Sequence, residues 1–178
     1  MSSEITWYGR GGQGAFTAAR LLGIAAVIED KYALAFPTFG PERRGAPVLG
    51  FTKLSDRKIL DRSEIVAADF AIVLDETLFS QTLLAGLKPD GVLLINTKEV
   101  SKYTPFHPNI VGLDATALAL DILKKPIVNT ALLGAFAAIC DEVSLDAMIQ
   151  AIQREMKPSL VEKNVTLLQA AYESIVHA

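Results

Sequence analysis

The stretch "ITWYGRGGQGAFTAARLL", residues 5–22, carries the reading on which the fold turns. Ile5 and Trp7 alternate with polar neighbours, which predicts a strand. Gly9, Gly11 and Gly14 follow in a G-x-G-x-x-G frame, and apolar positions at 16, 19, 22, 23, 26 and 27 then predict a helix over 14–29. Strand, glycine turn and helix in this order suit an anion. Glycines let backbone N–H groups approach closely, and a helix start adds roughly half a positive charge. A dinucleotide site needs one thing more, an acid closing the second strand to hold the ribose hydroxyls. The second strand is read at "YALAF", 32–36. Glu29 and Asp30 precede it, and Pro37, Thr38 and Phe39 stand at its closing end. Within the turn, Arg10 and Gln13 occupy places where dinucleotide folds carry small or apolar residues, which favours a charged or amide-rich group or a neighbouring chain. Three glycines alone leave phosphate binding and a structural tight turn both open. The chain lacks G-x-x-x-x-G-K-S/T, so the P-loop NTPase class is excluded.

Downstream, "VLGFTKLS" and "KILDR", flanking Ser55-Asp56, predict a hairpin. "ADFAIVLD" is apolar on both faces and predicts a central strand of a parallel sheet. A helix is predicted over 76–85, "KPDGVLLIN" as a turn and a buried strand, and "NIVGLDAT" as a further strand with Asp114 capping a helix through Leu123. From Val128 the chain reads as helical: one apolar helix ending at Cys140, one starting after Ser144, and one over 159–177. The alternation predicts an α/β fold, a doubly wound, mainly parallel sheet with flanking helices and a helical C-terminal third, forming a single domain over 1–178.

The 178 residues are 51% hydrophobic with a net charge of −3, enough apolar material for a sizeable core and some to spare for a partner chain. No long basic block is present, which argues against nucleic acid. No apolar run reaches the roughly 20 residues needed to span a bilayer, and no basic region precedes a long apolar one at the start. The expected compartment is therefore the cytoplasm, with no membrane partner. The single cysteine, Cys140, sits in "ALLGAFAAIC" and reads as a small buried thiol. One cysteine builds neither a disulfide framework nor an iron–sulfur cluster. His107 reads as a loop residue and His177 as a solvated end, too far apart for a metal site. Asp75-Glu76 is a strand end running into a helix start, where acids are favoured anyway. No nucleophile with a base is visible, and no G-D-G with a distal asparagine for a diphosphate–metal site. No catalytic or metal-binding residue is assigned.

The second constellation is "FGPERRGAPV", residues 39–48. Gly40-Pro41 fixes a turn, Arg43-Arg44 set two guanidinium groups beside Gly45, and Phe36 and Phe39 flank them. A stiff loop with arginine and aromatics suits a ligand or partner contact, and a solvated turn is the bland reading. It follows the second strand, so in a doubly wound fold it lies at the same carboxyl edge as the glycine turn. One site built from both loops is the expectation.

"GRGGQG" after the first strand, "FGPERRGAPV" after the second, "VLDETL", "GLKPDGVLLINT" and "VNTALLGAF" together resemble the gamma subunit of 2-oxoacid:ferredoxin oxidoreductases, the pyruvate (pyruvate synthase) type most closely. The resemblance runs from residue 4 to about 140, with five motifs in the family's order. It implies a non-catalytic subunit working with alpha, beta and ferredoxin-like delta subunits. Thiamine diphosphate with Mg2+ and the iron–sulfur (4Fe-4S) clusters would lie in those partners. The reaction so implied turns a 2-oxoacid and coenzyme A into acyl-CoA and carbon dioxide and passes electrons to ferredoxin or another acceptor. In that family the gamma part packs on the core and helps bind coenzyme A. Carried across, this role falls on Arg10, Gly11, Gly12 and Gln13 of the first loop and Arg43, Arg44 and Gly45 of the second. Whether each meets coenzyme A or a partner subunit stays open. So do a different 2-oxoacid (2-oxoglutarate, branched-chain or aryl), a stand-alone dinucleotide-binding oxidoreductase, and a structural adaptor without a ligand.

Overall fold

The computed structural model describes residues 2–38 and 46–178. Among them, β1 (Ser2–Arg10), β2 (Tyr32–Pro37), β3 (Pro47–Ser55), β4 (Ala68–Val73), β5 (Leu87–Asn96) and β6 (Ile110–Leu113) form one sheet in the order β2-β3-β1-β4-β5-β6. β1, β4, β5 and β6 run parallel. β3 is antiparallel to both β1 and β2. The expected central strand, β4, is indeed held between two parallel neighbours. The sheet is mixed, because the glycine-turn crossover returns through a β2–β3 hairpin before the parallel half begins.

The helices are α1 (Ala15–Ile28), α2 (Gln81–Ala85), α3 (Ala115–Leu123), α4 (Asn129–Ile139), α5 (Leu145–Glu155) and α6 (Pro158–Val176). Five of them share one core, in which Ile5, Trp7, Ile72 and Leu94 of the sheet meet α1, α3, α4, α5 and α6. α4 is buried along its length from Asn129 to Ala137, as expected of a helix apolar all round. Its Phe136 stacks edge-on against Phe70 of β4, with ring centres 5.1 Å apart. A Cβ on Gly134 would run into the backbone carbonyl of Leu168, so α4 and α6 touch backbone to backbone there. On the opposite face the cover is thin: Ala71, Val73, Leu93 and Ile95 pack under Leu83, Leu87 and Tyr103. The buried Trp7 indole N–H donates to Thr52 Oγ1 (3.1 Å), and that hydroxyl donates to the Ala19 carbonyl (2.9 Å), which satisfies polar groups between sheet and α1.

Four expectations are corrected. "KILDR" forms no strand. Both edges of β3 are already taken by β1 and β2, and Asp61 instead reaches back to Lys53 Nζ at 2.7 Å. The single helix over 76–85 is two pieces, a 3-10 turn at Glu76–Leu78 capped by Asp75 and then α2 capped by Ser80. Two capping residues five apart each start their own turn. Lys88–Asp90, read as a turn, lies inside β5, whose pairing with β4 shifts register between Ala68 and Phe70. Within α1 the expected Ala19, Leu22, Gly23 and Ala26 are buried, joined by Ala18 and Ala25, but Val27 faces out at 54% exposure. Asp114 and Ser144 do cap α3 and α5, accepting from the amides of Ala117 and Ala147.

Candidate functional site at the carboxyl edge of the sheet

Each parallel strand leaves the core through a polar residue at its carboxyl end: Arg10 after β1, Asp75 after β4, Asn96 at the end of β5, and Asp114 after β6. In an open α/β sheet this edge is where ligand crevices form. Here Asp75, Asn96 and Asp114, with Gln13, Glu76 and Thr97 among others, line a cleft of about 390 Å³.

The glycine turn is closed by its own side chains. The Arg10 amide donates to Gln13 Oε1 (2.7 Å), and the Gln13 amide donates to the Arg10 carbonyl (3.0 Å). Gly12 and Gly14 take φ of 91° and 83°, a region that favours glycine. Above Gly12 a Cβ would meet no atom of the described residues within 4 Å. At Gly14 a Cβ would sit 2.6 Å from Asn129 Nδ2, the first residue of α4. Among the described residues no side chain caps α1, whose first amides follow directly on the turn.

Asp75 gathers the turn. Its Oδ2 accepts from Gln13 Nε2 (3.0 Å) and lies 3.3 Å from Arg10 Nε. Its Oδ1 accepts from the amide and hydroxyl of Thr77 at 3.0 and 2.6 Å. Arg10 Nη2 in turn donates to Thr77 Oγ1 (2.9 Å). Burial pushes the Asp75 carboxyl up, but the Thr77 and Gln13 hydrogen bonds and the Arg10 charge together outweigh it and hold it below its ordinary value. Glu76 is likewise held low, by the hydroxyls of Thr97 and Tyr103, both 2.8 Å from its Oε2. That acceptor and burial raise Tyr103 to about 12, burial being the larger cause. Asn96 ties three elements: its Nδ2 donates to the Leu74 carbonyl and to Thr116 Oγ1, each at 3.0 Å.

Arg10, Gly11, Gly12 and Gln13 are thus brought together, and the structure adds a counter-charge at Arg10 that sequence reading did not include. The Gly11 amide is spent on the Ala46 carbonyl (2.8 Å), which leaves fewer turn amides for an anion than the glycine frame alone implies. Arg43, Arg44 and Gly45 lie outside the described residues. The flanks of their loop are at this same edge: the Thr38 amide bonds the Leu49 carbonyl, and Ala46 abuts Gly11. Asp75 as the organiser, with Asn96, Thr97 and Asn129, was missed as a site. The available signal was the repeated ending of apolar runs in "LDET", "LINT" and "LDAT".

The dinucleotide alternative loses its acid. Glu29 accepts from the Ser144 amide (3.2 Å) at the start of α5, and β3 intervenes between β1 and β2, the strand that would carry a ribose-binding acid. Cys140 is buried, with burial pushing its thiol up to about 11. The His107 ring accepts from the Asn109 amide, and His177 is exposed. Among the described residues, no cluster of His, Cys, Asp and Glu could hold a metal ion, and no helix is long and apolar enough to cross a membrane.

Fold and site therefore define an α/β module with a polar cleft at the carboxyl edge of its sheet. The chain belongs to the pyruvate ferredoxin/flavodoxin oxidoreductase family, whose model matches residues 4–174, and within it to the gamma-type subunits. It is 44% identical to the pyruvate synthase subunit PorC of Methanothermobacter marburgensis over 98% of both chains. It is 41% identical to the pyruvate/ketoisovalerate oxidoreductases common subunit gamma of Pyrococcus furiosus, over 96% of this chain and 95% of that one. The crystal structure of the pyruvate oxidoreductase subunit PORC of Thermotoga maritima superposes with a TM-score of 0.85 at 36% identity, covering 97% of this chain and 96% of the other.

Proposed function

We propose that this chain is a non-catalytic gamma subunit that helps bind coenzyme A and assemble a 2-oxoacid:acceptor oxidoreductase. Pyruvate is the favoured substrate, and thiamine diphosphate and the iron–sulfur clusters lie in partner subunits. The observation that carries this reading is the glycine turn at the start of α1. Among the described residues nothing lies within 4 Å of a Cβ at Gly12 and no side chain caps α1, and Arg10 is held beside a polar cleft by Asp75 and Thr77. Coenzyme A offers a pyrophosphate and a 3′-phosphate, groups matched by a helix start and by guanidinium donors. Its remaining hydroxyls and amides suit a cleft rich in Asn, Thr and carboxylate acceptors. One acidic side of the cleft, formed by Asp75, Glu76 and Asp114, is unsuited to phosphate, so phosphate contacts belong on the turn and on the Arg43-Arg44 loop.

An assembly role is supported by Leu60 and Val66, 81% and 84% exposed in the irregular segment after β3, and by Phe106 on the thinly covered sheet side. Pyruvate is supported by the names of the most similar relatives. Other relatives are named as common to pyruvate and ketoisovalerate enzymes, which suggests that choice of 2-oxoacid lies with the partners.

The test is steady-state kinetics of the assembled enzyme carrying Arg43→Ala and Arg44→Ala. Loss of one or two charge-assisted bonds is expected to raise the KM for coenzyme A about tenfold or more while the complex elutes intact. An unchanged KM together with weakened assembly would favour the ligand-free adaptor.

A further inference from the structure

We propose that Asp75 is a positioning residue that holds Arg10 and Gln13 in the geometry with which the glycine turn receives an anionic group of coenzyme A; this rests on the reading of that turn given above. Arg10 has a long, flexible side chain, and fixing it costs rotamer freedom. In the free protein that cost is already met. Nε faces Asp75 Oδ2, Nη2 donates to Thr77 Oγ1, and Thr77 is itself fixed by Asp75 Oδ1. The same carboxylate takes the Gln13 amide, whose other end accepts from the Arg10 backbone. One carboxylate therefore orients the guanidinium and locks the turn that carries it, from a different strand. The contact sits at the junction of β1 and β4, 65 residues apart in sequence, so neither loop can hold this shape alone. A second effect opposes the first, since a carboxylate beside Arg10 lowers the positive potential an anion meets. The KM of Asp75→Asn decides between the two effects, and preorganisation predicts that it rises.

The experiment compares Asp75→Asn, Thr77→Val and Arg10→Met in the assembled oxidoreductase, with thermal melts confirming that each complex is folded. Asp75→Asn keeps the shape and one acceptor oxygen, turns the other into a donor, and removes the charge that orients Arg10. It is expected to raise the KM for coenzyme A about tenfold while kcat at saturating coenzyme A stays within about twofold. Thr77→Val, which removes only the Thr77 hydroxyl, is expected to shift KM in the same direction by about threefold. If Arg10→Met raises KM but Asp75→Asn leaves it unchanged or lowers it, the positioning role is overturned and the turn remains a coenzyme A contact. If Arg10→Met also leaves KM unchanged, the reading of the turn itself fails. A parallel fall in kcat and melting temperature without a KM change would reduce Asp75 to a structural link and overturn the proposal.

Discussion

Gly12 and Gly14 show how much a single backbone angle decides. Both lie in the left-handed region, yet of the two only Gly14 has a neighbour among the described residues where a side chain would go, Asn129 Nδ2 at 2.6 Å. Gly12→Ala therefore costs only the conformational preference, about 1 kcal/mol, while Gly14→Ala adds a collision with α4 and costs about 2–3 kcal/mol. Urea denaturation of the two variants checks this, and equal losses would mean that Asn129 yields freely. Residue chemistry was partly legible beforehand. Arg10 and Gln13 stood out as foreign to a dinucleotide turn, and they are the two side chains that close it and reach Asp75. The role of Asp75 was hidden because an acid after an apolar strand is expected as a helix cap anyway. It does cap a turn at Thr77, but its other oxygen serves a loop 62 residues away, and no local pattern encodes that.

At the scale of elements, the apolar runs and caps were readable because they are local. β4 in the sheet centre, Asp114 on α3 and Ser144 on α5 follow from period and capping chemistry. Pairing was not readable. "KILDR" has strand-like composition, but β3, the strand it would pair with as a hairpin, has both edges taken, and only the order of the six described strands shows this. Helix packing was also silent in sequence. α4 and α6 approach so closely that Gly134 abuts the Leu168 backbone, a contact between positions 34 residues apart. Gly134→Val must push these helices apart and is expected to cost about 3 kcal/mol or more, a fall in melting temperature of roughly 6–12 °C. A melt within 2 °C of the parent would show that α6 shifts at no cost.

For the whole molecule, the division of labour follows from what the chain contains. Its 178 residues include one cysteine, and that one is buried with its thiol pushed up, so no cluster is ligated from this chain's own cysteines. What it offers instead is a rigid sheet edge, a glycine turn and apolar residues left on the thinner face. These features are what the proposed role, presenting a ligand to chemistry performed in partner subunits, asks of the chain. The most direct measurement is hydrogen–deuterium exchange of the assembled oxidoreductase with and without coenzyme A. Slowed exchange confined to peptides covering 9–20 and 74–80, with 158–176 unaffected, is the predicted result. Unchanged exchange in both peptides at saturating coenzyme A would contradict the account and leave this chain an adaptor.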